Sequence, residues 1–195
     1  MEQNSQYNIQ KYILESQIRD EYGKLVYTYT CHNKMIKKYS NYINLIKWGQ
    51  ILLSAVTTGS FMTTFFGENW KIGIIGAISS VIIFILNTCP KDLAYQDKLI
   101  KHKISADSLW ILKEKYISLI ADIPAIEIKE IMDRRDNLII ETSEVYKNSP
   151  NTDNKSYKEA QQALKRNEEQ FFEEWEIDLM LPEDLRRCNR KNRTL

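Results

Sequence analysis

The chain of 195 residues is 43% hydrophobic and 27% charged, and its net charge is +1. This near-neutral balance argues against a nucleic-acid-binding protein, which needs a basic excess, and the length leaves little room for a separate enzyme domain. The average also hides a segregation, because the apolar residues concentrate between residues 43 and 90 and the flanks carry nearly all the charge.

Residues 1–47 are predicted to form an amphipathic cytoplasmic helix. The first ten residues are polar and lack the basic start and apolar run of a secretory leader, so we expect the first apolar segment to act as its own insertion signal. Large side chains then recur every three or four residues, the spacing of one helix face. They are Tyr22, Leu25, Tyr29, His32, Ile36, Tyr39, Ile43 and Ile46. The stripe runs directly into the next segment.

Residues 48–66 and 72–90 contain no charged side chain. At about 1.5 Å per residue, each segment would be roughly 28 Å long as a helix, close to the hydrocarbon thickness of a bilayer. The extracytoplasmic loop between them, residues 67–71, is so short that it can join only neighbouring antiparallel helices. The pattern therefore predicts a two-helix transmembrane hairpin. The soluble alternative is a long helical hairpin buried in a bundle core.

The lysines predict the orientation of this hairpin. Four precede the first span and four follow the second, namely Lys34, Lys37, Lys38, Lys47, Lys91, Lys98, Lys101 and Lys103. Positively charged residues resist translocation, so both termini should be cytoplasmic. Trp48 and Trp70 stand at opposite ends of the hairpin, where aromatic rings favour the membrane interface.

Residues 91–123 are predicted to form a second amphipathic stalk helix. Its apolar stripe is Leu93, Ile100, Ile104, Ile111, Tyr116, Leu119, Ile120 and Ile123. Two amphipathic helices that leave the same membrane face should pair along their stripes. The predicted fold is therefore an all-α membrane protein, in which the transmembrane hairpin continues into a cytoplasmic helical bundle.

Residues 124–180 are predicted to hold two further helices. Pro124 should interrupt the stalk helix, because it lacks an amide donor. A third helix is expected over about 125–147, followed by a polar loop over 148–154. Ser156 and Glu159 have the spacing of a capping box, so a fourth helix should begin there and continue to about residue 175. Residues 181–195 form a basic tail, whose alternatives are a solvated end and a contact with anionic headgroups.

The two spans present faces of different chemistry. Small residues suited to helix packing are Ala55, Gly59, Gly73, Gly76, Ala77 and Ser80, and Asn87 is expected to bridge the helices. The candidates for a pore-facing surface are Gln50, Ser54, Thr57, Thr58 and Thr64. The alternative for each hydroxyl is a hydrogen bond to a carbonyl of its own helix. Phe61 lies within this polar face, which favours a closed resting state over a permanently open channel.

Ionisable residues are absent from both spans, so a proton relay or selectivity ring is not expected. Catalytic motifs are also absent, and we predict neither an enzyme nor a cofactor. The two histidines, His32 and His102, lie on the two stalk helices at similar distances from the membrane and should face each other. With Cys31 they could bind a metal, although the expected alternatives are ordinary packing and a pH-sensitive contact.

Arg134 and Arg135 admit two interpretations. They can pair with Glu130, Asp133 or Asp136 at helix spacing, or they can contact a phosphate or a partner. The three cysteines, Cys31, Cys89 and Cys188, lie far apart and are odd in number, which favours a reducing compartment without disulfides.

Several short motifs accompany the hairpin. They are Tyr27-Thr28-Tyr29-Thr30-Cys31-His32-Asn33-Lys34, Gln50 to Thr58, Lys101-His102-Lys103-Ile104-Ser105-Ala106 with Leu109-Trp110, Arg134-Arg135-Asp136, and Tyr157-Lys158-Glu159-Ala160. Together they resemble the SLATT family, the two-transmembrane effector domain that associates with SMODS and SLOG proteins in bacterial nucleotide-messenger and related defence systems. The resemblance covers about residues 20–175.

This resemblance implies an inner-membrane effector that oligomerises and permeabilises the membrane when a partner signals infection, so that the host cell is arrested or killed. The expected partners are lipid, other copies of the chain, and a signalling protein or nucleotide messenger encoded nearby, without direct nucleic-acid binding. The alternative is a passive membrane anchor or scaffold for a cytoplasmic partner. The family carries no catalytic residues that could be transferred to this chain.

Overall fold

The computed structural model describes residues 2–67, 70–88, 91–169 and 172–180. Six α-helices occur in this part of the chain: α1 (Glu2–Gly67), α2 (Trp70–Thr88), α3 (Lys91–Asp122), α4 (Ile128–Asn148), α5 (Asn154–Lys165) and α6 (Glu174–Met180). A short 3-10 helix spans Ile123–Ala125. Nearly all described residues are helical and none of them forms a strand, so the predicted all-α class is confirmed.

The N-terminal helix and the first apolar segment form one uninterrupted helix, α1, of 66 residues. At about 1.5 Å per residue it is roughly 100 Å long. It ends at Gly67 and α2 begins at Trp70, so the connection is shorter than the predicted 67–71. Residues 68–69 lie outside the described residues.

The bundle core lies where α1 packs along α3 and α4 covers them. Its buried members are Leu14, Ile18, Leu25, Leu109, Leu112, Tyr116, Leu119, Ile123, Ile131 and Leu138. The predicted stripe of α1 is buried at four of its positions, Leu25, His32, Tyr39 and Ile43. Fully burying one Leu or Ile side chain contributes about 1.5–3 kcal/mol, so this seam is a main source of the bundle's stability.

The predicted face of α3 is partly wrong. Ile100, Ile104 and Ile111 are exposed, and the side chain of Leu93 lies outside the described ones. The buried positions form a regular series at three- and four-residue spacing: His102, Ser105, Leu109, Leu112, Tyr116, Leu119 and Ile123. The half nearer the hairpin buries polar and small residues, so a search for large apolar side chains selected the exposed isoleucines instead.

Pro124 ends α3, as predicted, and lies in the 3-10 helix. The third helix begins at Ile128 instead of residue 125. It joins the bundle through polar contacts as well as through the core: the hydroxyls of Tyr116 and Thr142 are 3.4 Å apart, and Lys115 pairs with Glu141 at 2.6 Å.

The predicted capping box is wrong. The N-cap of α5 is Asp153, whose carboxylate accepts a hydrogen bond from the amide of Ser156 at 2.7 Å. The Ser156 hydroxyl is buried and donates to Met35 Sδ at 2.9 Å instead. α5 ends at Lys165, well before residue 175, and α6 is a separate helix. Segment 124–180 therefore contains three α-helices where two were predicted, and the predicted tail, 181–195, lies outside the described residues.

Candidate functional site

The end of α1 packs against α2 through small residues. An added Cβ at Gly76 would lie 2.7 Å from the Ser60 Cβ, and one at Gly73 would lie 3.0 Å from the Thr64 Oγ1. A larger side chain at Gly76 would displace Ser60, and one at Gly73 would require the Thr64 side chain to move by a few tenths of an ångström. Gly73 and Gly76 are therefore packing residues, as predicted from their spacing, and they allow the two backbones to approach closely.

A hydrogen bond joins the two helices at the opposite end of this contact. Gln50 Nε2 donates to Asn87 Oδ1 at 2.9 Å. Asn87 bridges the helices, as its position predicted, and its partner is one of the residues predicted to face a pore. In hydrocarbon such a pair is worth about 1 kcal/mol, because neither amide finds water.

The other small residues predicted for packing lie away from this seam. Ala55 and Ala77 are exposed, Gly59 has no atom within 4 Å of an added Cβ, and Ser80 is exposed and donates to the carbonyl of Gly76 at 2.9 Å. Sequence reasoning missed Ser60 and Ser79, which are buried in the hairpin. Ser60 has helix spacing from Thr57 and Thr64, and Ser79 has helix spacing from Gly76. This spacing could have indicated that both serines lie on the packed faces.

The five candidate pore-facing residues do not share one surface within a single chain. Gln50 and Thr64 contact α2, and the carbonyl of Thr57 lies 3.7 Å from the added Cβ at Gly76. Ser54 and Thr58 are exposed. The hydroxyls of Thr57, Thr58 and Thr64 donate to carbonyls four residues earlier at 2.9, 3.0 and 2.8 Å. The alternative of hydrogen bonds within the helix therefore holds for all three threonines.

The outer surface of the hairpin is strongly apolar. Exposed side chains on α1 include Trp48, Ile51, Leu52, Val56, Phe61 and Phe65, and those on α2 include Trp70, Ile74, Ile75, Ile78, Val81, Phe84 and Ile85. Continuous apolar exposure of this extent marks a membrane or protein contact rather than a water-facing surface. It also argues against the soluble alternative, in which these side chains would be buried in a bundle core.

Among the described residues, one helix, Trp70–Thr88, is long and apolar enough to cross a membrane, and 11% of it is buried. The end of α1 falls short of the same standard, because Gln50 and several Ser, Thr and Gly residues dilute its apolar side chains. Length and composition therefore support one crossing, and the second crossing stays a prediction.

His32 and His102 meet in the bundle below the hairpin. Their Nδ1 atoms are 2.9 Å apart, and the side chains are 1% and 2% exposed. One ring must carry the proton on Nδ1 while the other accepts it, so the hydrogen bond requires at least one neutral imidazole. Tyr39 stacks on the His102 ring at 5.7 Å between centroids. The pair fixes the register of α1 against α3.

Burial is the main cause that lowers the pKa of both histidines. It lowers the pKa of His32 to about 4, and the neighbouring His102 contributes to the same shift. For His102 burial again lowers the pKa, Asp153 opposes this effect and Lys98 adds to it. Both rings are therefore neutral at pH 7, which is the state that the hydrogen bond needs.

Cys31 is buried beside this pair, and burial raises the pKa of its thiol. Within the described residues no group of three or more His, Cys, Asp or Glu side chains is placed to hold a metal ion. The pair therefore forms a direct hydrogen bond between two buried rings, and its sensitivity to pH stays a prediction. Cys89 and Cys188 lie outside the described residues.

Arg134 and Arg135 are engaged in contacts within the chain. Arg134 pairs with Glu130 and with Asp122 at 2.9 Å, and Arg135 pairs with Asp136 at 2.7 Å. Arg135 also donates to Gln17 Oε1 at 3.0 Å, which attaches α4 to α1. These contacts match the ion-pair interpretation. A phosphate that bound Arg134 or Arg135 would have to displace these carboxylate partners.

A family model described as the SMODS and SLOG-associating 2TM effector domain family 4 matches residues 14–176. The chain belongs to the SLATT family. The match confirms the resemblance carried by the short motifs, and this SLATT protein is accordingly a membrane protein with an effector domain. No curated protein and no solved structure matches it.

Proposed function

We propose that this SLATT protein is the membrane effector of a bacterial anti-phage system, and that copies of it assemble and permeabilise the inner membrane when a partner signals infection. In this proposal both apolar helices cross the bilayer and both termini are cytoplasmic. In this proposal the partners are lipid, other copies of the chain, and a signalling protein or nucleotide messenger encoded nearby. No catalytic role is assigned to the chain.

Two observations support the two crossings. The outer surfaces of α1 and α2 are both apolar, although only α2 is apolar enough to be identified on its own. The Gln50–Asn87 hydrogen bond covers the amide groups that would be most costly to expose to lipid. The lysine flanks support the orientation, because Lys38, Lys47 and Lys98 all lie at the bundle end of the hairpin.

The hairpin seam supports a closed resting state. Gln50, Thr57 and Thr64 face α2, so a single hairpin offers no continuous polar channel wall. A rotation of α1 during assembly would bring this polar side together with Ser54 and Thr58 toward a shared centre. Opening would thus exchange contacts within one chain for contacts between chains.

The observation that carries the proposal is the continuity of α1 from the bundle core to the end of the hairpin. Because the helix has no break, it offers a direct route by which a change in how Leu25 or His32 packs in the bundle can reach residues 48–66. A trigger that binds the two arrangements with different affinity can therefore act on the hairpin from the bundle.

Membrane potential tests the proposal in cells that express the chain with its neighbouring genes and are challenged with phage. We expect a voltage-sensitive dye to report depolarisation before lysis. Gly76→Leu should depolarise cells even without phage because it loosens the seam that holds the resting state, whereas Ile78→Leu on the exposed side of α2 should preserve the wild-type response. An intact potential in challenged wild-type cells that nevertheless stop growing would refute permeabilisation.

A groove between α3 and α4 favours a second candidate, a passive scaffold for a cytoplasmic partner. The groove has a volume of about 460 Å³ and is lined partly by the apolar side chains of Ile104, Ile111, Leu112 and Val145. Replacement of residues 48–88 by an unrelated two-helix hairpin distinguishes the candidates. A scaffold should keep its protective activity after this exchange, and a permeabilising effector should lose it.

A further inference from the structure

A polar cavity of about 410 Å³ lies between α1 and α5, in the bundle below the hairpin. Four lysines, Lys34, Lys37, Lys38 and Lys155, contribute to its wall together with Tyr42, and no Ala, Val, Leu, Ile or Met of the described residues lines it. Its volume falls within the range of small-molecule sites. Charged and amide side chains make up most of this lining, which is better suited to a polar ligand than to the hydrophobic anchor of a partner protein.

Close carboxylate partners occupy Lys34 and Lys38, whereas Lys37 and Lys155 stay available to contact a ligand. Lys34 pairs with Glu169 at 2.9 Å, and Lys38 pairs with Asp153. Lys155 lies 3.9 Å from Glu159 in a solvent-exposed pair, a contact that contributes little free energy. Lys37 has no carboxylate within ion-pair distance in the part of the chain that the structure describes. The four lysines face three carboxylates, those of Glu159 and Glu169 in the lining and that of Asp153 on Lys38, so one positive charge remains in excess and the cavity favours an anion.

We infer that this cavity binds a phosphorylated small molecule of about nucleotide size, with Lys37 and Lys155 as its main phosphate contacts. Lysine binds phosphate as a compact point charge, and Lys155 lies in the first turn of α5, where the helix dipole adds positive potential. The amides of Asn41, Gln162 and Asn167 line the same cavity and offer both donors and acceptors to a polar ligand.

Such a ligand would also compete for the lysines that hold α5 on α1. The Lys34–Glu169 and Lys38–Asp153 pairs join α1 to the residues that flank α5, across more than a hundred positions of sequence. A phosphate that draws either ammonium group away weakens one of these links, so ligand binding is coupled to the docking of α5. The site does not depend on permeabilisation, and each proposal can fail without the other.

Isothermal titration calorimetry of the full chain in detergent micelles tests the inference, with ATP and inorganic pyrophosphate as probes and adenosine as the uncharged control. We expect both phosphates to bind and adenosine not to bind. Lys37→Gln with Lys155→Gln should weaken binding at least about tenfold, since charge-assisted contacts are lost. Lys101→Gln with Lys103→Gln, which removes two equally exposed charges from α3, should leave binding unchanged. Glu169→Gln should strengthen it several-fold, because a competing carboxylate is removed.

A second set of measurements identifies the source of the phosphate. Nanodiscs that contain phosphatidylglycerol are compared with nanodiscs of phosphatidylcholine alone. If the soluble phosphates fail but the Lys37 and Lys155 variant loses binding to the anionic nanodiscs, the ligand is a lipid headgroup and the inference of a small soluble ligand is overturned. Equal binding by wild type and the Lys37 and Lys155 variant, or binding of no phosphate in either form, would overturn the inference.

Discussion

His32 Nδ1 and His102 Nδ1 lie 2.9 Å apart, across 70 positions of sequence, and their hydrogen bond joins the two longest helices of the protein. Both rings are buried, and the contact can exist only while at least one imidazole is neutral. The region just below the hairpin is therefore sensitive to protonation.

This pair predicts a loss of stability in mild acid. The pKa of His32 is about 4 in the folded protein and about 6.5 when the chain is unfolded, so the unfolded state binds more protons between these values. The free energy of unfolding should therefore fall as the pH drops from about 6.5 toward about 4. Thermal unfolding in detergent, followed by circular dichroism, should show this decrease.

The matched variant combines His32→Asn with His102→Asn, because an Asn amide can occupy the place of Nδ1 without titrating. Its stability should be nearly constant between pH 6.5 and 5. The lowered pKa values of Asp153 and Glu169 affect stability at lower pH, below the ordinary range of carboxylates. The same pH dependence in the variant and the wild type would exclude the histidines as its cause.

The two glycine positions of the hairpin should respond very differently to enlargement. Gly76→Leu forces a side chain into Ser60 and should destabilise the hairpin by about 1–3 kcal/mol or more. Gly59→Leu enters open space on the outer surface and should leave the hairpin intact. Oxidative cross-linking between Gln50→Cys and Asn87→Cys, in a background without native cysteines, measures hairpin closure. A similar cross-linking yield in both glycine variants would contradict the described seam.

The Gln50–Asn87 hydrogen bond should contribute a measurable coupling energy. Gln50→Leu and Asn87→Leu each leave one amide without its partner, and the double variant removes both. We expect a double-mutant cycle of unfolding in detergent to give about 0.6–1.7 kcal/mol, the range measured for polar pairs in membrane helices. Strict additivity of the two single substitutions would show that the pair does not form.

Substitutions on α3 test which of its faces is buried. Leu109→Ala should cost about 2–5 kcal/mol, because the side chain is fully buried between the helices. Ile104→Ala, on the exposed side, should change stability by no more than about 0.5 kcal/mol. Chemical denaturation in mild detergent compares the stability of the two variants. A larger loss of stability at Ile104 would show that the face predicted from the sequence is the buried one.

Large apolar side chains at helix spacing were sufficient to predict the all-α class, the face of α1 and the continuity of α1 into the hairpin. They were insufficient for α3, where the buried seam near the hairpin consists of His102, Ser105 and Ala106. A seam of small and polar residues is favourable only when a specific partner faces it. That information lies in the tertiary contact and not in local periodicity.

The candidate site also contains residues that the sequence predicted and residues that it did not. Gly73, Gly76 and Asn87 were predictable because small residues let helix backbones approach and amide side chains pair across helices. The same rule selected Gly59, which lies in open space. Ser60 and Ser79 were missed because a serine has little apolar surface, so only its helix spacing from Thr57, Thr64 or Gly76 indicates which face it occupies. The cap at Asp153 was missed because Ser156 and Glu159 have the spacing of a stronger motif, and only the fold shows that the Ser156 hydroxyl turns toward Met35.

Accessibility of the far end of the hairpin tests most directly whether both apolar helices cross the membrane. Single cysteines at Lys71 and Asp20, both exposed, are introduced into a background without native cysteines and treated with a membrane-impermeant maleimide. We predict that Lys71→Cys is labelled in intact spheroplasts and Asp20→Cys only after lysis. Labelling of both positions only after lysis would show that the hairpin does not cross the bilayer.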